Sequence, residues 1–328
     1  MKIAQIAPLA ESVPPRLYGG TERVVSYLTE ELVRLGHDVT LFAAKNSPPA
    51  LSVMLERVRR RAHEFDVLHF HIESLHFPLF RALARKTVTT LHGRLDLPEL
   101  PPLFKEFPEM PLVSISDSQR RCVPAANWTA TVYHGLPAEI CPLNPAAPRG
   151  AGSYLAFLGG VSQESGLDRA IEIARRSGLR LRVAAKVDAA DEHYWRESIV
   201  PLLRDPRVEF IGEVDEAGKP AFLGKAVALL FPIDWPEPFG LAMIEAMSCG
   251  TPVIAWRRGS VPEIVDHGVT GFIVDSIDAA VAAVPRGAQL DRSRVRSRFE
   301  ERFSAARMTR DYLSVYRSLG RTRALRAI

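Results

Sequence analysis

Short apolar runs alternate with segments of helical period along the whole chain, and this alternation restricts the fold more than any other feature. Ile3-Ala4-Gln5-Ile6-Ala7 is a run of strand length. Over residues 21–35, Val24, Val25, Leu28, Leu32 and Leu35 recur at helical spacing, the pattern of a helix with one buried face. Gly36 stops that helix, and Val39-Thr40-Leu41-Phe42-Ala43 supplies the next apolar run. A strand, a helix and a strand in this order make a βαβ unit, whose setting is a parallel sheet. Further strand-length runs at 67–70, 87–91 and 112–115 extend it.

The alternation fails at residues 141–153, CPLNPAAPRGAGS. A segment so rich in Pro and Gly continues neither a helix nor a central strand, and it reads as an interdomain linker. Beyond it the pattern restarts, with strands predicted at 154–158, 181–185, 208–211, 228–231, 253–255 and 272–274. Helices are predicted between them at 166–177, 192–204, 216–226, 239–248 and 277–284, and over 292–320 to the end. At roughly 150 residues per domain, the length of 328 agrees with two domains. They are placed at 1–145 and 150–303, with 304–328 a terminal helix expected to cross back to the first half. Ligands of open parallel sheets bind outside the carboxyl ends of the strands, so the default site is the cleft between two such halves.

Composition narrows the class. With 47% apolar and 24% charged residues the chain is an ordinary globular one. No run approaches the ~18 apolar residues of a membrane span, and the start MKIAQIAPLA reads as a first strand rather than a signal peptide. Cys122, Cys141 and Cys249 are odd in number, widely spaced and without a CxxC pair. That points to three thiols in a reducing, cytoplasmic compartment and to no structural zinc. The net charge of +4 owes much to Arg after residue 285. Those Arg are interleaved with acids and apolar positions, as on a solvated terminal helix, so a nucleic-acid patch is not expected.

The segment with the most chemistry runs from Phe231 to Ala255. Pro238 reads as the start of a helix, where its missing amide costs nothing. The amides of Phe239, Gly240 and Leu241 would then point out of a helix N-terminus that favours an anion. Glu237 precedes the helix and Glu245 follows eight positions on, a rise of ~12 Å along a helix. That span resembles the distance from sugar to ribose in a nucleotide diphospho-sugar, and carboxylates accept well from sugar hydroxyls. Spacing alone leaves a plain helix–strand element with two incidental Glu equally open.

The wider string decides between them. Glu-x7-Glu within EPFGLAMIEAMSCGTPVIA, then Gly259-Ser-Val-Pro-Glu-Ile-Val and Gly268-Val-Thr-Gly-Phe-Ile-Val, resembles the retaining GT-B glycosyltransferases of family 4, glycosyltransferase group 1. Gly19-Gly20-Thr-Glu-Arg, Thr90-Leu-His-Gly93, Ser114-Ile-Ser-Asp-Ser118 and Tyr133-His-Gly135 agree with it. The resemblance implies an α/β GT-B fold of two Rossmann-like domains facing a central cleft. It implies that Glu237 holds donor-sugar hydroxyls, that Glu245 holds the ribose, and that the amides at Phe239, Gly240 and Leu241 line the sugar and phosphate pocket. Gly20, Gly159 and Gly160 would lie along the diphosphate, and His92 would contact the sugar or the reacting centre. In such enzymes the leaving phosphate deprotonates the acceptor, so no metal, cofactor or protein nucleophile is expected. The protein supplies positioning and charge stabilisation.

One departure stands out. Where the family carries an Arg and a Lys for the diphosphate, this chain reads Phe157-Leu-Gly-Gly-Val-Ser-Gln-Glu-Ser-Gly-Leu167, with Gly160 and Ser165 in their places. Lys186, at the end of the next strand, is the first candidate for a substitute cation, ahead of Arg257, Arg258 and Arg16. The expected partners are a nucleotide sugar, by resemblance a UDP-sugar, and a soluble small-molecule or glycan acceptor. Two alternatives stay open: a nucleotide-sugar 2-epimerase on the same fold, and a weakly active or non-catalytic nucleotide-sugar binder. His71, Glu73 and His76, at a strand end, are candidates for acceptor contact rather than for a metal. Asp117 reads as a helix N-cap, Trp235 as a loop anchor, and His134 as either a loop residue or a cleft contact.

Overall fold

The computed structural model describes residues 1–17, 19–43, 48–143 and 152–319. Most of the linker at 141–153, and the end of the Arg-rich tail, lie outside the described residues. The chain divides into two compact units, Met1–Pro137 together with the chain from Ser304, and Ala138–Phe303.

The first unit contains β1 (Lys2–Ile6), α1 (Gly20–Arg34), β2 (Asp38–Phe42), α2 (Pro48–Arg61), β3 (Val67–Phe70), α3 (Phe77–Phe80), β4 (Thr87–Thr90), α4 (Leu100–Glu106), β5 (Leu112–Ser114), α5 (Asp117–Arg121) and β6 (Trp128–Thr131). Its six strands pair in the order β2-β1-β3-β4-β5-β6, all parallel. The chain builds outward from β1 in one direction and from β3 in the other, so the switch point lies between β1 and β3. All four residues of β3 are buried, as a strand covered on both faces requires. β6 and α2 are absent from the sequence reading. β6 is a short, partly exposed edge strand, and the buried stripe of α2, Met54, Leu55 and Val58, gives way at once to Arg59-Arg60-Arg61.

The second unit contains β7 (Tyr154–Gly160), α6 (Leu167–Ser177), β8 (Arg180–Lys186), α7 (Glu192–Tyr194), β9 (Val208–Gly212), α8 (Lys219–Gly224), β10 (Leu229–Phe231), α9 (Leu241–Ser248), β11 (Val253–Trp256), α10 (Val261–Ile264), β12 (Gly271–Val274), α11 (Ile277–Gly287) and α12 (Arg292–Phe303). The strand order is β12-β11-β10-β7-β8-β9, again all parallel. Here the switch point lies between β7 and β10. Leu155, Phe157, Leu181, Val183, Leu230 and Ile254 belong to the core between sheet and helices.

The helix predicted over 292–320 is two helices, α12 and α13 (Ala305–Leu319). The break has a local cause. Ser304 forms a bridge with Leu136, and the Ala305 amide donates to the Leu136 carbonyl, 2.8 Å, instead of to its own helix. A Cβ at Gly135 would overlap the Ser304 backbone. α13 then packs against α1 of the first unit, burying Met308, Tyr312 and Tyr316.

Two further expectations are corrected. Cys141 and Cys249 form a disulfide, and only Cys122 is a free thiol. The partners are 108 residues apart in sequence; they meet because Cys249 caps the C-terminal end of α9, and spacing rules carry no sign of such a contact. The N-cap of α5 is Ser116, whose side chain accepts from the Gln119 amide, and Asp117 is the first helical residue. Among the described residues no helix is long and apolar enough to cross a membrane.

Candidate functional site

The carboxyl ends of β7 and β10 flank the switch point of the second unit, where open parallel sheets bind ligands. The two loops that leave these ends are tied together. The Asp234 amide donates to the Glu164 carbonyl, 2.8 Å, and Arg169 Nε donates to the Pro232 carbonyl, 2.8 Å. Gly166 sits between them at φ +76, where a Cβ would collide with the Pro232 carbonyl. Ser165 closes its own turn, its hydroxyl donating to the Ser162 carbonyl at 2.7 Å. It fills the expected Lys position with a structural hydroxyl.

Gly159 and Gly160 end β7, and nothing lies within 4 Å of where a Cβ would stand at either. Gly160 is the register partner of Lys186 on β8, so Lys186 stands beside the missing Arg. Its ammonium is 2.8 Å from Asp188 Oδ1, a pairing that a phosphate would have to compete with. Arg258 pairs in turn with Asp234 at 3.0 Å.

Glu237 lies in the loop from β10 to α9. Burial pushes its carboxyl up to about 7, opposed by hydrogen bonds from the Phe239 and Gly240 amides. The helix begins only at Leu241, with Gly240 as its N-cap at φ 79, so Pro238 is not its first residue. The Phe239 amide faces Glu237 Oε1 at 3.5 Å and so is turned to the protein's own carboxylate. The GSVPE segment braces this loop. The Ser260 amide donates to the Glu237 carbonyl, 3.0 Å, and its hydroxyl to the Phe239 carbonyl, 2.8 Å. Gly259, at φ +50, lies so close that a Cβ would strike the Glu237 backbone. Glu245 is buried on α9, and Lys219 Nζ on α8 holds its Oε1 at 2.6 Å.

The first unit places its candidates around its own switch point. His71 follows β3 and His92 follows β4; His71 Nδ1 is 2.9 Å from His92 Nε2. His92 also stacks on His134 with ring centroids 5.2 Å apart. Burial drives His92 down to about 3 and His71 well below the ordinary range, so both are neutral. Glu73, at φ 54, accepts from the His92 and Gly93 amides, both 3.2 Å. It holds the His92 loop in place. His76 lies in the core: it is fully buried, stacked 3.7 Å from Phe70 and bonded to Thr89 Oγ1 at 2.9 Å. Gly20 is the first residue of α1, and the glycine-only backbone falls on Gly19, where a Cβ would meet Pro15.

Residues 147–296 match the family described as glycosyl transferases group 1. The second unit belongs to that family. The whole chain is 25% identical over 387 residues to a glycogen synthase of Mycobacterium tuberculosis (strain CDC 1551 / Oshkosh), covering 93% of each. It is similar to the solved structure of AviGT4, a glycosyltransferase involved in avilamycin A biosynthesis, with TM-score 0.75, 23% identity and 98% of both chains covered. Anabaena HepE, solved in complex with UDP and glucose, matches with TM-score 0.74 and 18% identity over 97% of this chain and 100% of that one. The two structural matches give the fold class, α/β of GT-B type.

Several residues around these positions leave no mark in the sequence. Lys219 looks like a solvent-facing Lys at a polar helix start, yet it is buried against Glu245. Arg169 looks like one more Arg on α6, yet it ties two loops. Ser260 alone had a signal, in the GSVPE string.

Proposed function

We propose that the chain transfers a hexose from a UDP-sugar to a soluble hydroxyl-bearing acceptor, with retention and without metal or cofactor. The observation that supports this is the group 1 match over residues 147–296 together with the tied loops that leave β7 and β10, one of which carries Glu237. Glu237 accepts from donor-sugar hydroxyls and Glu245 from the ribose. The bond from the anomeric carbon to the departing phosphate breaks, and the bond to the acceptor oxygen forms on the same face. The acceptor's proton goes to the leaving phosphate. Lys186 neutralises that phosphate in place of the absent Arg and Lys. Within the first unit, His92 is the candidate for contact with a substrate hydroxyl. The choice of UDP draws on HepE, which was solved with UDP and glucose.

The test is a thermal-shift screen with UDP-, GDP- and ADP-sugars. A ligand present at about 100 times its Kd stabilises the folded chain by about 2.7 kcal/mol. One UDP-sugar should raise the melting temperature, and Lys186→Ala should remove most of that rise. No shift with any donor would sink the reading; a shift without transferred sugar by product mass would make the chain a binder.

The open space at Gly160 yields a gain-of-function prediction. Gly160→Arg meets no steric obstacle at its Cβ and restores a cation beside Lys186. Donor affinity should rise by about tenfold, the scale of one charge-assisted hydrogen bond. Titration of UDP against both proteins measures it, and unchanged affinity would show that position 160 does not face the diphosphate.

A further inference from the structure

A buried chain of hydrogen bonds in the first unit runs from α13 to His92. Gln5 Nε2 on β1 donates to the Tyr316 hydroxyl at 3.0 Å. Gln5 Oε1 is 2.8 Å from His71 Nε2, and His71 Nδ1 is 2.9 Å from His92 Nε2. The Tyr316 hydroxyl continues to His69 Nδ1 at 2.8 Å, and His69 Nε2 to Thr90 Oγ1 at 2.8 Å.

The amide of Gln5 sets the direction of the protons on the branch from His71 to His92. Its carbonyl oxygen can only accept, so His71 carries its proton on Nε2. A neutral imidazole has one N–H, so His71 Nδ1 is a bare acceptor and takes its hydrogen bond from His92 Nε2–H. His92 Nδ1 is then bare as well. That atom is buried with no hydrogen-bond partner among the described residues, although every other ring nitrogen on the path from Gln5 is paired. A buried polar atom left open in an otherwise satisfied network calls for a partner from outside it. Turning the Gln5 amide over would reverse the chain, and His92 would offer an N–H instead.

We propose that Gln5 and Tyr316 are positioning residues that lock His92 in its Nε2–H tautomer, so that Nδ1 accepts a hydrogen bond from a substrate hydroxyl. The tautomer is a property of the free protein; the hydroxyl rests on the transferase reading above. Tyr316 holds the NH2 end of Gln5, so the C-terminal helix takes part in what His92 presents. The which-nitrogen question is set, as usual for histidine, by the bond that the other nitrogen makes.

Long-range proton–nitrogen correlation spectra of the full chain, labelled at histidine and assigned with His92→Gln, read the tautomer directly and need no substrate. The native protein should show His92 protonated on Nε2 alone. Gln5→Met removes the acceptor for His71, and Tyr316→Phe frees the amide to turn; each should populate the Nδ1–H form of His92. Gln5→Glu keeps an acceptor for His71 Nε2–H and should restore the native tautomer. On the substrate side, the two disruptive variants should lose about tenfold in kcat/KM, the worth of one hydrogen bond, and Gln5→Glu should recover most of it. A proton on Nδ1 in the native chain, or an unmoved tautomer in both disruptive variants, overturns the proposal. A moved tautomer with unmoved rates overturns the substrate contact. Failure to turn over any sugar nucleotide counts against the transferase reading and leaves the spectra to decide the tautomer. Should Gln5→Met not fold, Tyr316→Phe carries the same comparison.

Discussion

Glu237→Gln should slow sugar transfer by on the order of 10²–10³ and at the same time make the ligand-free chain more stable in alkaline solution. The carboxyl is shielded from water and its ionisation is pushed up to about 7 from the ordinary value of 4.5. A raised carboxyl means that the folded chain binds the proton more tightly than the unfolded one. Stability therefore falls as pH rises from about 4.5 to about 7, and stays reduced above that. At 1.36 kcal/mol per unit the ionised carboxylate costs about 3 kcal/mol. Glutamine carries no such cost, so the stability difference between variant and parent should be near zero below about pH 4.5 and reach about 3 kcal/mol above pH 7. Transfer behaves in the opposite sense. The proposed role needs the ionised acceptor, so the parent's rate should climb with pH through about 7. The variant should be slower by on the order of 10²–10³, as for loss of one preorganised group at a reacting centre. Urea unfolding and initial rates on both proteins across pH 4–9 check the two halves. Parallel stability curves would show that Glu237 ionises normally and that the loop is open to water.

The same residue shows how far the sequence could be read. The Glu-x7-Glu string and the GSVPE string mark the site because each residue type has a local task. Gly240 caps a helix at φ 79, and Gly259 lets one loop press against another. Tasks of that kind leave a mark at a fixed spacing. The positions of the strands along the chain are legible for the same reason: short, mainly apolar runs, as in Val67–Phe70, report burial on both faces whatever else surrounds them. What stayed hidden depends on contacts between distant segments. Nothing near Cys141 points to Cys249. His76 and His71 look alike in Leu68-His-Phe-His-Ile-Glu-Ser-Leu-His76, but one stacks on Phe70 in the core and the other accepts a hydrogen bond from His92. The amides expected to await a phosphate at Phe239 and Gly240 are turned toward Glu237, because the helix starts later than Pro238 suggests. A proline allows a helix start; it does not compel one.

Lys219→Ala should cause the largest loss of stability of the changes considered. Lys219 and Glu245 have side-chain exposures of 9% and 7%, and their ion pair spans 2.6 Å. Glu216 approaches the same ammonium at 3.6 Å and is far more exposed; as an anion it offers Glu245 no substitute for the lost cation. A buried pair of this kind gives little net stability over an apolar pair, because both charges leave water to form it. Removing one member is different. The Glu245 carboxylate then stays buried without the Lys219 cation, and the cost is up to about 3–5 kcal/mol. Two comparisons separate this from ordinary cavity formation. Acid should relieve the deficit in Lys219→Ala, since protonating Glu245 removes the stranded charge; a cavity would cost the same at every pH. The double variant Lys219→Met/Glu245→Gln, which leaves no charge behind, should recover most of the lost stability. Urea midpoints for the three proteins at pH 5 and pH 8 give both readings. A loss equal at the two pH values, with no recovery in the double variant, would mean that Lys219 matters for its packing and that Glu245 keeps its charge solvated by other means. The expected result would assign Lys219 the task of holding the Glu245 carboxylate in place on α9.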